Sequence, residues 1–429
     1  MEKIIYHIDV NSAFLSWEAV YRLKILGEKI DLREIPSAIG GDESKRHGII
    51  LAKSIPAKKF NIQTGDSVRD ALNKCPDLVL APPQYQVYEQ CSKAFINILQ
   101  EYAPVVEQYS VDEAYCDMTG TTQLYGSPVV AANLIKDRIY RELGFTVNVG
   151  VSNNKLLAKM AGDLKKPNLV HTLFPNEIQR KMWPLPVEDL FYVGRASKKT
   201  LNKLGIHTIG ELAESDPAIL RKHMHKHGEV IWNFANGRDV AIVDSEVPAN
   251  KGYGNSTTIS FDVEDSSTAR LVLLSLCETV CSRLRADHVK AGVVAVSICD
   301  YEFHYYSHQM TLITATNITN EIHQSACRLF LEGWDGTPIR KLGVHTSRIM
   351  EDDNIRQLDL FTLDKYEKFQ KMDGAVDNIR NRFGEDKIMR ASYLAKNNQE
   401  KNITHMAGGI KNAREMVKAE GAGGRMAFH

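Results

Sequence analysis

The sequence has no apolar run near the roughly 18–20 residues that a membrane-spanning helix needs, so no such span is expected. It also lacks net charge, with 53 Lys and Arg against 53 Asp and Glu. Nucleic-acid binders are usually basic overall. The balance therefore suggests none, yet forbids none, because local patches survive in a neutral total. CxxC pairs are absent, and the seven cysteines are scattered and odd in number. They read as reduced, mostly buried thiols of a cytoplasmic protein. Cys277 and Cys281, one helical turn apart, read as one packed face rather than a metal site. The opening stretch, "MEKIIYHIDVNSAF", carries acids and no long apolar core, so a signal peptide is not expected. No Walker-type phosphate loop and no HExxH occur.

What is present is an ordinary globular composition, 43% hydrophobic and 25% charged. At 429 residues the chain should form two to four domains. "KIIYHIDV" reads as a strand ending at Asp9, and "SAFLSWEAVYRLK" switches to helical spacing with Ala13, Trp17, Val20 and Leu23 on one side. Further strands are expected at 47–54, in "LVLAPP" and at 145–152. Helices are expected over 66–76 (capped by Asp66 and stopped before Pro76), 85–104 and 127–143, and in "NNKLLAKMAGDLKKP". Up to about residue 173 this is an α/β or α+β mixture. Residues 174–238 carry only helical signals, and 239–252 have no period and read as a linker. Four strands and two helices (268–286 and 318–332) then return over 253–348 as a separate α+β domain, followed by a polar, helical tail.

The stretch "YSVDEAYCD" places Asp112 and Glu113 side by side in a strand-prone run. Neighbouring side chains on a strand point to opposite faces, so the pair is either a solvated turn or a metal site at a strand end. If 105–109 and 114–118 form a hairpin, the acids sit at its tip, where the pleat is broken and neighbours can converge. With Asp9 ending an adjacent strand, three hard carboxylates could then hold one or two Mg²⁺ ions. Two other stretches carry less. "GGDES" (40–44) looks like a cyclase signature but precedes a strand, and a Gly-Gly-Asp turn is the better reading. "HMHKH" (223–227) does not put residues i and i+2 on one helix face; cations before Gly228 more simply complement a helix dipole.

"HIDVNSAFLSWE", "YSVDEAYCD", "VGVSNNKLLAKMAGDLKKP", "VGRASKKTLNKLGI" and "QLDLF" occur in this order. The ordered set resembles the Y-family translesion DNA polymerases, in particular the bacterial UmuC/DinB branch, over roughly residues 1–361. The resemblance implies an α+β multidomain, right-hand polymerase. Its palm would take 1–12 and 84–173, its fingers 13–83, its helix-hairpin-helix thumb 174–238 and its little finger 253–348, with a tail over 349–429. It implies error-prone translesion synthesis in the SOS response, by two-metal nucleotidyl transfer from a dNTP to a primer 3′-hydroxyl. It further implies two Mg²⁺ ions, with Mn²⁺ as a substitute, and primer-template DNA as partner, in a chain that is monomeric apart from its clamp.

Position by position, Asp9, Asp112 and Glu113 match the metal-binding carboxylates, and the carbonyl of Val10 would add a ligand. Phe14 matches the steric gate, whose ring would clash with a ribose 2′-hydroxyl. Lys58 and Lys166 match lysine or arginine contacts to the triphosphate, while Lys155 reads as helix surface. Gly194, Lys198 and Lys199 fall in a hairpin that would meet a DNA phosphate without reading sequence. Gln357, Leu358, Asp359, Leu360 and Phe361 match the sliding-clamp peptide, an apolar cluster that calls for a partner. There are departures: Asn11 replaces a second acid, Ile55 and Ala52 replace a Tyr and a Thr that would touch the triphosphate, and Ala196 replaces a hairpin glycine.

Overall fold

Period-two alternation in the first strand becomes the middle of a sheet buried on both faces. The structure, a computed structural model, describes residues 3–41, 48–352 and 363–394. The twelve strands among the described residues are β1 (Ile5–Val10), β2 (Ser37–Gly40), β3 (Ile50–Lys53), β4 (Val79–Ala81), β5 (Val105–Gln108), β6 (Glu113–Asp117), β7 (Val147–Ser152), β8 (Val170–Thr172), β9 (Gly252–Val263), β10 (Val289–Asp300), β11 (Tyr305–Thr316) and β12 (Ile339–Glu351). They fall into two units, one holding residues up to Gly41 with Ile49–Val247, the other starting at Pro248.

In the first unit a five-stranded sheet has the order β5-β6-β1-β7-β8, antiparallel except for β7 beside β8. Tyr6, Ile8 and Val10 of β1 enter a core shared with the helices Tyr85–Tyr102 and Pro128–Leu143. The alternate residues Ile5, His7 and Asp9 therefore face the other side. There Ile5 packs with Tyr115 and with Ala158 of the helix Lys155–Asp163. That helix is capped by Asn154, whose side chain accepts from the Leu157 amide at 2.8 Å. It lies so close to the sheet that a Cβ on Gly150 would come within 1.9 Å of the Ala158 carbonyl oxygen.

The helix Ala13–Lys24 is buried on two sides. Ala13, Trp17 and Val20 join the core of the large sheet, while Leu15 and Ala19 pack on Ile39 and Ala52 of a small sheet of order β3-β2-β4. The shared helix brings the end of β3 beside the end of β1, where Asp9, Val10, Ala52 and Lys53 line one cleft. The helix near 66–76 spans Val68–Lys74, and its cap is Ser67, not Asp66. Asp66 instead pairs with Lys74 at 2.6 Å.

Residues 174–238 are helical as expected, with helices Arg195–Lys203, Ile209–Glu214 and Pro217–Ala235. The helical run through "HMHKH" is broken at His225, at φ 54° and ψ −140°. Gly228 lies where a Cβ would sit 2.5 Å from the Leu220 carbonyl, so the two segments fold back closely on each other. The expected linker is anchored to the first unit: the Leu156 amide donates to Asp239 at 3.1 Å, and the Asp244 amide to Glu107 at 3.1 Å.

The second unit is an antiparallel sheet of order β11-β10-β12-β9, packed against helices Ser266–Ala286 and Thr319–Gly333. It continues past residue 348. The helix Leu363–Phe383 is held by Arg285, which pairs with Asp377 at 2.6 Å and Asp373 at 3.2 Å. Buried Glu278 takes Arg390 at 2.6 Å and Arg380 at 3.3 Å, and Tyr393 is only 2% exposed in the same core. Among the described residues no helix is long and apolar enough to cross a membrane.

Candidate active site

The strand pairing decides what the adjacent acids do. β5 and β6 form the expected hairpin, with Gln108 opposite Ala114. Asp112 lies in its turn, and Glu113 opens β6. The Val10 amide donates to the Asp112 carbonyl at 2.9 Å, and Asp9 stands directly across from Glu113. All three acids thus reach one corner, but they do not converge freely. Asp9 and Asp112 line an open cleft of about 290 Å³ together with Val10, Ala13 and Phe14. Glu113 shares Asp9's face of the sheet but does not line the cleft; His7 Nε2 approaches it at 2.9 Å and Lys159 Nζ at 2.5 Å.

Electrostatics separate the two neighbours. Burial, reinforced by Asp9 and Glu113, raises the Asp112 pKa against the pull of the hydroxyl of Ser110, which donates to Asp112 at 2.6 Å. Burial alone would raise Glu113 as well, but the bonds from His7 and Lys159 bring it down to about 2. Asp9 is paired with Lys166, which also meets Asp163 at 3.0 Å. Burial works against the Lys166 charge, yet the two aspartates hold its pKa above the ordinary lysine value.

Among the described residues no three His, Cys, Asp or Glu side chains form a group that could hold a metal. The physical reason is visible: Lys166 covers Asp9 and Lys159 covers Glu113, which relieves the repulsion of three nearby carboxylates. Asp112 has no cationic partner among the described residues, although it is half-buried beside two other acids. A hard, oxygen-only donor set with one uncompensated, half-buried carboxylate suits a divalent cation such as Mg²⁺. Asp9, Asp112 and the Val10 carbonyl are the residues that could hold it, with Glu113 at the edge.

Phe14 forms part of the cleft lining and is held rigidly there. Its ring stacks on Tyr88 at 4.9 Å, 12° from parallel, and meets Tyr85 edge-on at 6.4 Å. Tyr88 is in turn hydrogen-bonded to buried Glu18 at 3.1 Å. Lys58 also lines the cleft, on the short helix Ile55–Lys58 capped by Ser54. In the helical region Gly194 precedes the helix Arg195–Lys203 at φ −85°, with open space where a Cβ would stand. Lys198 is not free for an outside anion, since Glu188 takes it at 2.6 Å. The peptide Gln357–Phe361 lies outside the described residues.

Three residues escaped the reading of the sequence. Lys159 and His7 secure Glu113, and Lys53 lines the cleft beside Lys58. Lys155 and Lys159 are one helical turn apart, and Lys155 takes Glu107 on β5 at 2.6 Å. The spacing of these lysines was a usable signal, but only strand pairing reveals which acids they meet.

Comparison with known proteins follows the same outline. The impB/mucB/samB family profile matches residues 8–163, that family's C-terminal domain matches 250–360, and the IMS family HHH motif matches 175–206. A DNA polymerase IV of Clostridium acetobutylicum is 44% identical over 396 residues, covering 92% of this chain and 99% of the relative. One from Acetivibrio thermocellus is 39% identical, covering 92% and 98%. DNA polymerase IV 2 of Bacillus subtilis is 37% identical, covering 92% and 95%. Among solved structures, a Y-family DNA polymerase chimera superposes with a TM-score of 0.68 at 21% identity, over 81% of this chain and 99% of that one. At that identity the likeness speaks for the fold alone.

Proposed function

We propose a function on the premise that this chain belongs to the impB/mucB/samB family of Y-family DNA polymerases: it is a DNA-directed DNA polymerase of the translesion type. Its substrates are primer-template DNA and dNTPs. The primer 3′-oxygen attacks the α-phosphorus of the dNTP, an O–P bond forms in line as the bond to the leaving pyrophosphate breaks, and the hydroxyl proton passes to solvent. The finer reading places this chemistry over the corner of Asp9, Asp112 and Glu113. Two Mg²⁺ ions, or Mn²⁺ in their place, would supply Lewis acidity there, acidifying the 3′-hydroxyl and neutralising charge on the transferring group.

The chain's own groups do the positioning. Phe14, immobilised on Tyr88, fills the space a ribose 2′-hydroxyl would need and so excludes ribonucleotides by repulsion. Lys58 offers its ammonium to the triphosphate from the cleft wall. Lys166, paired with Asp9, would be free to turn to a phosphate once that carboxylate served as a ligand. Gly194 leaves the start of its helix open to a DNA phosphate. Lys199 supports that contact, whereas Lys198 does so only by releasing Glu188. Gln357–Phe361 would tether the enzyme to a bacterial sliding clamp, raising its local concentration at a primer end without a net positive charge. The remaining parts of the reading are a palm, fingers, thumb and little finger at the stated boundaries, a role in the SOS response, and a cytoplasmic protein, monomeric apart from its clamp.

The observation that carries the reading is Asp112: a half-buried acid, crowded by two others, with no cationic partner among the described residues, in a cleft that also holds an aromatic ring and two lysines. Primer extension with the wild type and Asp112→Ala tests it. Template-directed extension should vanish in the variant while its thermal unfolding stays cooperative. Equal extension by both proteins would end the catalytic assignment.

A further inference from the structure

The cleft has two chemically different walls. The end of β1 and the hairpin turn contribute Asp9 and Asp112. The end of β3 and the helix after it contribute Ala52, Lys53 and Lys58, with Thr64 from the following loop. On this second wall Ala52 has no side-chain donor, and neighbouring Ile55 is an exposed apolar residue. Lys53, Lys58 and Thr64 are thus the groups there that can donate to an anion.

Lys53 pays for its position. It is half-buried at the last position of β3, and burial, then the charge of Lys58, lowers its pKa below that of an ordinary lysine; Asp66 offsets this only in part. Among the described residues neither Lys53 nor Lys58 has an ion-pair partner. The acid that acts on Lys53 among the described residues, Asp66, is already engaged by Lys74 at 2.6 Å and by the Gln63 amide at 2.8 Å. What Lys53 does touch is neutral, the Thr64 hydroxyl at 3.4 Å. Two mutually repelling ammonium groups therefore share a concave site without a counter-anion among the described residues. A ligand with several adjacent negative charges relieves both the repulsion and the missing pairing.

We infer that Lys53 is a further contact for the incoming nucleotide, gripping its triphosphate jointly with Lys58 across from the carboxylate wall. This rests on the cleft being the dNTP site of a polymerase. It adds a cationic donor on a wall where Ala52 and Ile55 offer no hydroxyl, so phosphate affinity here depends on charge rather than on neutral hydrogen bonds. Two lysines also suit the product: pyrophosphate leaves toward the groups that held it as part of the triphosphate.

The test is steady-state primer extension at saturating primer-template with Lys53→Gln, Lys58→Gln, the double variant and Lys53→Arg, alongside DNA affinity by fluorescence anisotropy. Lys53→Gln should raise the dNTP KM about tenfold, in the range for losing one charge-assisted hydrogen bond. DNA affinity and the unfolding temperature should stay unchanged. Lys53→Arg, which keeps the charge, should recover most of the affinity, and the double variant should be weaker than either single one. An unchanged KM in Lys53→Gln, or a loss of DNA affinity in place of dNTP affinity, would overturn the inference while leaving the polymerase reading intact. Absence of extension by the wild type would overturn both.

Discussion

Replacing Asp112 by Asn should make the metal-free protein more stable and the enzyme inactive. The swap keeps side-chain volume and an oxygen that can still accept from the Ser110 hydroxyl, now at 2.6 Å from Asp112. What it removes is a half-buried negative charge near Asp9 and Glu113. Lys166 and Lys159 screen those neighbours, so the relief is a residual repulsion, on the order of 1–2 kcal/mol at an effective dielectric near 20. For a unit of this size that corresponds to a rise in Tm of about 2–6 °C.

The sign with pH follows from the raised pKa. The folded state holds the Asp112 proton more tightly than the unfolded chain, so stability is lost as pH rises through the folded value. The gain from Asn should therefore be largest near neutral pH and shrink on acidification toward the ordinary carboxylate range. Calorimetric unfolding in a chelator, then with added Mg²⁺, reads both halves. The wild type should be stabilised by Mg²⁺, and Asp112→Asn should lose most of that response. If Asn instead lowers Tm in chelator and leaves the Mg²⁺ response whole, Asp112 is a structural residue and the metal assignment fails.

Other outcomes follow from the same geometry. Phe14→Ala should relax discrimination against ribonucleotides by at least about tenfold in competitive extension assays, with a stability cost of ~2 kcal/mol from the lost stack on Tyr88. The Glu113 pKa, lowered from 4.5 to about 2, contributes at most about 3 kcal/mol above pH ~4.5 that is lost as pH falls toward 2. Denaturant titrations should show that acid-side loss flattened in Glu113→Gln. Lys159→Met should destabilise by ~2 kcal/mol in the same assay, because it leaves Glu113 half-paired in a half-buried site. In the second unit Tyr393→Ala should cost about 3 kcal/mol. Tyr393→Phe should be neutral or stabilising, since the buried hydroxyl has no partner among the described residues.

Much of the architecture was legible because hydrophobic period reports local geometry. The long strands of the second unit and the helices Tyr85–Tyr102 and Ser266–Ala286 follow from it directly. What escaped were elements whose form depends on neighbours. β2, "SAIG", is too short and too small-residued to show a period; it exists because it pairs with β3 and β4. The helix Ala13–Lys24 is apolar on more than one side because two sheets meet on it, which no single-face template represents. The break at His225 is imposed by close packing at Gly228. Residues 363–394 look like a polar tail, yet their charges find Glu278 and Arg285, distant in sequence.

By itself the order of motifs determined which family this chain resembles, and the position of Asp9 at a strand end next to a paired-acid hairpin followed from local pattern. Only the tertiary structure decided how the acids divide: Asp112 into the cleft, Glu113 onto His7 and Lys159. The reason is that a strand's pleat assigns faces locally, while charge compensation is a property of whatever distant helix packs against that face. Lys53 is the same lesson in the opposite sense, a lysine unremarkable in sequence whose half-burial beside Lys58 marks it as waiting for an anion.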